Sequence, residues 1–324
     1  MLMLDATSLL TLLPYSVLVD ELADKHREPE GLVDELLIQS IDSNQNENQF
    51  FIRAGWQTEE ALGAKVITVF PRNNIDAIKP SIQAVYILFE AKTGSPIACM
   101  DGTVLTYLKT AADSALGSRF LSRPDSKTLL MIGAGAMAEH LIEAHCAIRP
   151  GIEQVFIWNR TPQKAISLCE QMVNKFSTKI RFNQVDNIDS VASQSDIICS
   201  ATASVKPLLE GRWLRPGTHL DLVGSYRPDM REVDDDCLSR GRIFVDARGT
   251  TIHRVGELMI PLSSGVISES DIIADLRGLC YGHCGARENS DEITIFKNGG
   301  GGHLDLMTAQ ILYQRYQSKH DIKD

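Results

Sequence analysis

The hydrophobic pattern changes character near residue 122, and the part before it mixes helical and strand-like segments. Valine, leucine and isoleucine recur at helical spacing over Pro14–Lys25 and Glu30–Gln39, which predicts two helices. Three runs rich in β-branched and aromatic residues then predict strands, and an alanine- and leucine-rich stretch predicts a long helix. These segments are Gln49–Arg53, Ala64–Phe70 and Ala84–Glu90, followed by Leu105–Leu121. The pattern is typical of an α+β domain.

After the helix-stopping sequence Ser122–Asp125, short apolar runs alternate with helical patterns. These runs are Thr128–Ile132, Gln154–Trp158, Asp196–Cys199, His219–Val223 and Ile243–Val245, with a further strand at Ile293–Phe296 before a glycine cluster and a final helix. Buried-looking strands separated by helices indicate an α/β fold with a doubly wound parallel sheet. We expect one domain over residues 122–297 and another formed by residues 1–121 with 298–324.

A glycine-rich turn follows the first of these later strands directly. Thr128–Ile132 leads into Gly133-Ala-Gly135-Ala136-Met137-Ala138, the G-x-G-x-x-A form of the dinucleotide fingerprint in strand–turn–helix context. Gly133 permits the tight turn, Gly135 lets a pyrophosphate approach the backbone, and the helix N-terminus attracts negative charge. The alternative is a plain turn of small residues. The context favours a Rossmann-type dinucleotide-binding domain.

The end of the second strand in this domain indicates which dinucleotide binds. An NAD enzyme usually has an acidic residue here for the ribose hydroxyls, but this chain has Asn159-Arg160-Thr161. A guanidinium suits a phosphate dianion through paired, charged hydrogen bonds. The alternative is a surface arginine beside a helix cap. We expect NADPH, with NADH less favoured.

Two further strand ends are candidates for the nicotinamide side of the cofactor. Ligands of open α/β sheets gather at the carboxyl ends of strands. Ser200-Ala201-Thr202 follows one such strand, and Val223-Gly224 ends the next. We expect the first group to line the nicotinamide ribose and the second to contact the ring.

Composition narrows the class of protein. The net charge of −10 over 324 residues argues against nucleic acid or an anionic membrane as a partner. The seven scattered cysteines indicate a reducing compartment, and the N-terminus lacks the basic start of a signal peptide, so we expect a cytoplasmic protein. Cys280, His283 and Cys284 lie close together, but no second ligand cluster matches them, and we expect no metal.

Several segments, in order along the chain, resemble one known family. Besides the fingerprint they are Met100–Thr106, Ala111–Ala115, Val223–Glu232 and Phe296–Asp305. They are similar to those of the ornithine cyclodeaminase and mu-crystallin family, whose members handle an imine or iminium next to a carboxylate with a nicotinamide. The resemblance also implies a homodimer paired through the domain that does not bind the dinucleotide.

Within that family, two departures point away from cyclodeaminase. By resemblance, Tyr226 occupies the position of the catalytic aspartate of cyclodeaminases. The second strand also lacks the acidic residue that holds the recycled NAD of those enzymes. The run Arg227–Glu232 is closer to the ketimine reductase branch. The resemblance therefore implies an enzyme of proline metabolism that uses NADPH. It would reduce Δ1-pyrroline-2-carboxylate, Δ1-piperideine-2-carboxylate or both, giving L-proline or L-pipecolate by hydride transfer to the protonated imine.

The resemblance also implies the residues that act on the substrate. Lys65 is at the position of the family's active-site lysine, within an apolar strand. Lys109 replaces an arginine that clamps the substrate carboxylate, and Gly300 is expected beside the nicotinamide and substrate, with Asp305 fixing the helix after it. A further family arginine is missing near Gln39, and Arg53 is a candidate to replace its charge. Repulsion between the two lysines would lower the pKa of one of them and make it a proton donor near neutrality.

Alternatives remain open at this level. Lys65 could be a lysine of an edge strand whose ammonium reaches solvent, and Arg53 could be a plain surface arginine. The chain could be an ornithine cyclodeaminase, an alanine dehydrogenase or a non-catalytic NADPH-dependent binder of small molecules. Ring size, substrate range and physiological direction are not readable from these residues.

Overall fold

The structure, a computed structural model, describes residues 1–43, 45, 47–75, 79–176 and 179–320. The chain divides into two compact units, Met1–Lys109 with Gly301–Asp324, and Thr110–Gly300. Both unit boundaries therefore differ in position from the limits proposed from the sequence, which were residues 121 and 298. The N-terminal and C-terminal segments belong to the same unit in each description.

The first unit is built on a six-stranded sheet in the order β1-β6-β5-β4-β3-β2, in which only β1 and β6 are parallel. Helix α12 packs on β3 and β4 and against α2. The strands are β1 (Leu2–Leu4), β2 (Leu32–Ile41), β3 (Glu47–Gln57), β4 (Ala61–Val69), β5 (Ile82–Phe89) and β6 (Pro96–Asp101), and the helices are α1 (Ala6–Leu10), α2 (Tyr15–Lys25), α3 (Arg72–Ile75) and α12 (Gly302–Lys319). Helix α4 (Gly102–Leu121) begins in this unit, and its residues from Thr110 onward belong to the second unit.

The helix predicted over Glu30–Gln39 is wrong, because this segment forms most of strand β2. Its apolar residues do fall at helical spacing, but all ten residues of β2 pair with β3 in antiparallel register. Pairing with a long neighbouring strand outweighs a local pattern that fits both periods. The strand is also exposed along nearly its whole length, so its apolar side chains do not alternate between a buried face and a solvent-exposed face.

The second unit is built on an eight-stranded sheet in the order β13-β12-β14-β11-β10-β7-β8-β9, with every pair parallel. The predicted doubly wound α/β fold is confirmed. The strands are β7 (Thr128–Ile132), β8 (Gln154–Trp158), β9 (Arg181–Gln184), β10 (Ile197–Ser200), β11 (His219–Leu222), β12 (Gly241–Val245), β13 (Ile272–Asp275) and β14 (Ile293–Lys297), and the helices are α5 (Ala136–Ile148), α6 (Pro162–Phe176), α7 (Asp189–Ala192), α8 (Asp235–Arg240), α9 (Arg248–Thr251), α10 (Gly256–Ser264) and α11 (Leu276–Tyr281).

The strand order of this sheet reverses between β7 and β10. Chain order runs outward from β7 to β8 and β9 on one side, whereas β10 and β11 lie on the other. Such a reversal opens a crevice at the carboxyl ends of the strands, which is where ligands bind in sheets of this kind. The central strands are sealed on both faces, since Leu129–Ile132 and Ile197–Cys199 have no exposed surface. A rigid sheet therefore carries the loops of the site.

None of the helices in the described part of the chain is both long enough and apolar enough to cross a membrane.

Candidate active site

The fingerprint turn has the geometry of a phosphate-binding loop. Gly133 has a φ of +110°, and a Cβ there would lie 2.6 Å from the Ala201 carbonyl oxygen, so only glycine fits this turn. Gly135 precedes α5 without a side-chain cap, and the space around its missing Cβ is open for 4 Å. Ala136 and Met137 form the first turn, so the amide groups of this helix N-terminus are available to an anion.

Beside that turn, the end of β8 presents the residues expected to select the cofactor. Asn159 accepts a hydrogen bond from the Ala134 amide at 3.1 Å and donates to the Thr161 carbonyl at 2.9 Å, so its amide ties the two loops together. The side chains of Arg160 and Thr161 are exposed. A cavity of about 350 Å³ lies between the fingerprint and the start of α6, where Lys164 adds a second cation.

The loops after β10 and β11 are held by a residue that sequence reasoning did not assign to the site. The hydroxyls of Ser200 and Thr202 both donate to the carboxylate of Glu232, and so does the Gly224 amide. The Val223 amide donates to the Ser200 carbonyl at 2.8 Å. The two hydroxyls therefore brace these loops.

The glycine cluster is held by a second buried acid, Asp246 at the end of β12. Its carboxylate accepts the amides of Gly299 and Gly300 and the hydroxyl of Thr251. Gly300 has a φ of +72°, which favours glycine at this position. Burial and the nearby charge of Asp113 raise the pKa of Asp246 to about 6. The sequence offered one signal for this acid, since it directly follows an apolar strand.

In the first unit, two lysines share one carboxylate. The Lys65 ammonium lies 2.8 Å from Asp305 Oδ1, and the Lys109 ammonium lies 3.4 Å from the same oxygen. All three side chains are at most 3% exposed. We call Lys65, Lys109 and Asp305 the lysine–aspartate cluster. Its side chains carry two positive charges and one negative charge, so the cluster suits an incoming carboxylate. The role expected for Asp305, to fix the following helix, omitted this pairing.

Lys65 is not an edge-strand lysine, because β4 lies between β3 and β5. Its pKa is lowered to about 8, first by burial and then by the positive charges of Lys109 and Arg53, while Asp305 opposes the change. The expected direction of the pKa shift therefore holds, but its main cause is desolvation rather than repulsion between lysines. A lysine with such a pKa can donate a proton near neutrality.

Arg53 is the cross-strand neighbour of Lys65 and carries its own counterion. The two residues are in register between β3 and β4, and Arg53 Nε forms an ion pair with Glu35 at 2.8 Å. The guanidinium is near enough to lower the pKa of both Lys65 and Asp305. It contributes positive potential to the cluster, although its charge is already balanced by Glu35.

The donor set of the second unit fits a dinucleotide cofactor. The uncapped N-terminus of α5 offers amide groups, and the open space at Gly135 leaves room for a pyrophosphate. Arg160 is exposed at the end of β8, and Lys164 is exposed and lines the cavity, so two cations are available to an anionic group. When bound, such a cofactor supplies a hydride.

A separate polar cluster lies in the core of the same unit. His145, Cys199 and Asp221 place three potential ligand atoms within 4.8 Å of one another. Sequence spacing gave no hint of the 3.0 Å contact between His145 and Asp221. Burial raises the pKa of the Cys199 thiol well above its usual range, and the thiol donates to Asp221 at 3.1 Å. Since metals bind the thiolate, this arrangement is better described as a hydrogen-bonded core cluster.

Comparison with known proteins identifies the relatives of the chain. The model of the "Ornithine cyclodeaminase/mu-crystallin family" matches residues 29–320. A Delta(1)-pyrroline-2-carboxylate reductase of Paracoccus denitrificans is 42% identical over 260 residues, covering 80% of this chain and 81% of that protein. Protein SAR DEFICIENT 4 of Arabidopsis thaliana is 42% identical over 276 residues, with 84% of both chains covered.

A solved structure extends the similarity to the whole fold. Thermococcus litoralis Delta(1)-pyrroline-2-carboxylate reductase in complex with NADH and L-proline superposes with a TM-score of 0.89 at 30% identity, covering 99% of this chain and 98% of that one. The prediction of an oxidoreductase enzyme with a nicotinamide cofactor is confirmed at that level. The resemblance stated from the motifs is confirmed as well. The chain belongs to the ornithine cyclodeaminase/mu-crystallin family.

Proposed function

We propose that this enzyme reduces a cyclic ketimine carboxylate, Δ1-pyrroline-2-carboxylate or Δ1-piperideine-2-carboxylate, to L-proline or L-pipecolate with NADPH. The reaction adds a hydride to C2 and a proton to the ring nitrogen, so the C=N bond becomes a single bond and NADPH is oxidised to NADP⁺. The observation that carries the proposal is the lysine–aspartate cluster, which combines a site for a carboxylate with a proton donor.

Each member of the cluster has a distinct task in this proposal. Lys109 binds the substrate carboxylate as a point charge, and Lys65 delivers its proton to the imine nitrogen. The iminium formed is far more electrophilic than the neutral imine. Asp305 Oδ2 is buried without a hydrogen-bond donor among the described residues, so it is available to accept the N–H of the iminium. Arg53 adds positive potential, and Gly300 lines the substrate.

We assign the cofactor to the carboxyl edge of the second unit. Gly133, Gly135, Ala136 and Met137 hold the pyrophosphate, and Arg160 with Thr161 binds the 2′-phosphate. Ser200, Ala201, Thr202, Val223 and Gly224 form the nicotinamide end, with Asn159 linking the loops. The preference for NADPH over NADH is supported by the exposed Arg160 and by the neutral amide of Asn159 where an NAD enzyme usually has an acid.

A homodimer is supported by an exposed apolar surface on the first unit, which we call the β2–β3 face. Alternate residues of β2 and their partners on β3 form it: Leu32, Leu36, Ile38, Phe50 and Trp56, each at least 39% exposed. Several exposed apolar side chains on one face of a strand pair are typical of an interface. We also keep the proposal of a cytoplasmic protein, which the free thiols of all seven cysteines support.

The experiment is cofactor oxidation by the purified enzyme with both cyclic imines and both cofactors. We expect turnover of at least one imine, with a kcat/KM for NADPH about tenfold or more above that for NADH. Arg160→Ala should reduce this ratio without changing the kcat/KM for NADH. Ammonia release from ornithine without added reductant would instead indicate a cyclodeaminase. Cofactor consumption with pyruvate and ammonia would indicate an alanine dehydrogenase, and binding without any turnover a non-catalytic protein.

A further inference from the structure

One buried side chain joins the two loops at the proposed nicotinamide end of the cofactor site. The carboxylate of Glu232 accepts four hydrogen bonds and has no exposed surface. Oε1 accepts the Ser200 hydroxyl at 2.6 Å and both the amide and the hydroxyl of Thr202 at 2.8 Å. Oε2 accepts the Gly224 amide at 2.7 Å. One loop follows β10 and the other follows β11, so the carboxylate bridges two strand ends.

The two bridged loops are tightly packed against each other. A Cβ at Gly224 would lie 2.1 Å from the Thr202 carbonyl oxygen and 2.6 Å from Glu232 Oε1. On the other side, the first of these loops sets the turn of the fingerprint, since the Ala201 carbonyl oxygen lies 2.6 Å from a Cβ built at Gly133. A displacement of the Glu232 bridge would therefore move the loop backbones themselves.

The backbone of Glu232 is held by residues that are not among the proposed cofactor contacts. Its amide donates to Glu257 Oε2 at 2.8 Å, and the neighbouring Val233 amide donates to Glu257 Oε1 at 3.1 Å. Its carbonyl accepts the amides of Leu208 and Leu209. The buried Lys297 ammonium supplies the opposite charge, because the carboxylates of Glu232 and Glu257 both raise its pKa against the effect of burial.

From this geometry we infer that Glu232 is a positioning residue that sets the place of the nicotinamide by fixing the loops Ser200–Thr202 and Val223–Gly224. The inference rests on the proposed function, because it assumes that these loops hold the hydride-donating end of the cofactor. Because donors point at both oxygens of the Glu232 side chain, both of these atoms must accept hydrogen bonds. A carboxylate has two accepting oxygens, whereas the amide of glutamine has only one. The proposed sites of the pyrophosphate and the 2′-phosphate are the first turn of α5 and Arg160, whereas the Glu232 carboxylate bonds to Ser200, Thr202 and Gly224.

The test compares Glu232→Gln with a matched control. Glutamine keeps the shape but turns an NH₂ group toward donors, so the loops must separate. The control is Asp196→Asn in the same unit. Asp196 is also a buried carboxylate, and its Oδ2 accepts hydrogen bonds from the amides of Lys127 and Thr128. It lies just before β10, at the amino end of the strand, whereas the proposed cofactor site is at the carboxyl ends. Both variants should lower the thermal midpoint, whereas only one should affect the nicotinamide.

Four measurements separate positioning from loss of structure. Adenosine 2′,5′-bisphosphate, the probe of the adenosine end, should bind Glu232→Gln within about twofold of the wild type. The fluorescence enhancement of bound NADPH should fall sharply, and single-turnover hydride transfer should slow by about 10²-fold, as expected for a small misplacement of reacting atoms. The deuterium isotope effect on kcat should rise with it. Asp196→Asn should leave all these values near those of the wild type.

Equal fluorescence and hydride-transfer rates in the two variants would overturn the inference, as would loss of adenosine 2′,5′-bisphosphate binding in Glu232→Gln alone. If Glu232→Gln does not fold, Thr202→Val removes one donor from Oε1 and should reproduce the pattern at about a tenfold loss of rate; an unchanged rate there would count equally against the inference. A wild type that turns over no cyclic imine would contradict the proposed function only, because the two binding measurements need no substrate.

Discussion

Asp305 determines much of the chemistry proposed for the first unit. Two lysine ammonium groups this close would repel one another in a buried environment, and the shared carboxylate makes both tolerable. It also opposes the effect of burial on Lys65, whose pKa of about 8 reflects both influences. Lys65 is therefore largely protonated at neutral pH and can still release its proton.

The pH dependence of turnover tests this assignment at the level of one carboxylate. We expect kcat/KM for the imine to fall as the pH rises through about 8, because the Lys65 ammonium is the proton donor. Asp305→Asn removes the negative charge that raises the pKa of Lys65, so the falling limb should move to lower pH. Titration of the substrate itself would be the same in both enzymes.

The control for this pH profile is Asp24→Asn, which removes an exposed carboxylate paired with Arg27 in the same unit. It should leave the limb in place. A limb that stays at the same pH, or moves upward, in Asp305→Asn would contradict the role given to Lys65.

The local hydrophobic pattern predicts a strand correctly where the strand is buried on both faces. Strands β7 and β8 were predicted with the bounds that the structure has, because fully buried parallel strands form continuous apolar runs. Strand β2 was mistaken for a helix, since its long-range pairing with β3 is not encoded in its own spacing. The bridge at Glu232 was missed for the same reason: its partners lie 8 to 32 residues away in sequence.

Charged substitutions on the β2–β3 face should disrupt the proposed dimer. The double substitution Leu36→Glu with Ile38→Glu places charges on two residues that are about half exposed in the single chain. If this face is the dimer interface, the dissociation constant should rise by about 10²-fold or more, and light scattering should show monomers.

Leu10→Glu is the matched control for the interface prediction. Leu10 is 46% exposed but lies on α1, away from the β2–β3 face, so this variant should remain dimeric. A wild type that is monomeric at micromolar concentration, or a double variant that dimerises like the wild type, would contradict the proposed interface.

For the whole molecule, the net charge of −10 hides a local concentration of cations. A negative net charge does not exclude binding of an anionic small molecule. Lys65 is conspicuous in the sequence, because it lies within an apolar strand. The counterions of these cations could not be predicted, because Asp305 lies 240 residues from Lys65 along the chain. Fold class and cofactor motif are thus readable from local sequence, whereas the balance of buried charges depends on tertiary contacts.

Hydride transfer to the imine carbon of a cyclic imino acid can be followed by isotope transfer. The enzyme would be incubated with Δ1-pyrroline-2-carboxylate and NADPH deuterated at the transferring position of C4, and the product would be analysed by mass spectrometry and NMR. We expect L-proline carrying one deuterium at C2. Unlabelled proline, or oxidation of the cofactor without proline, would contradict it.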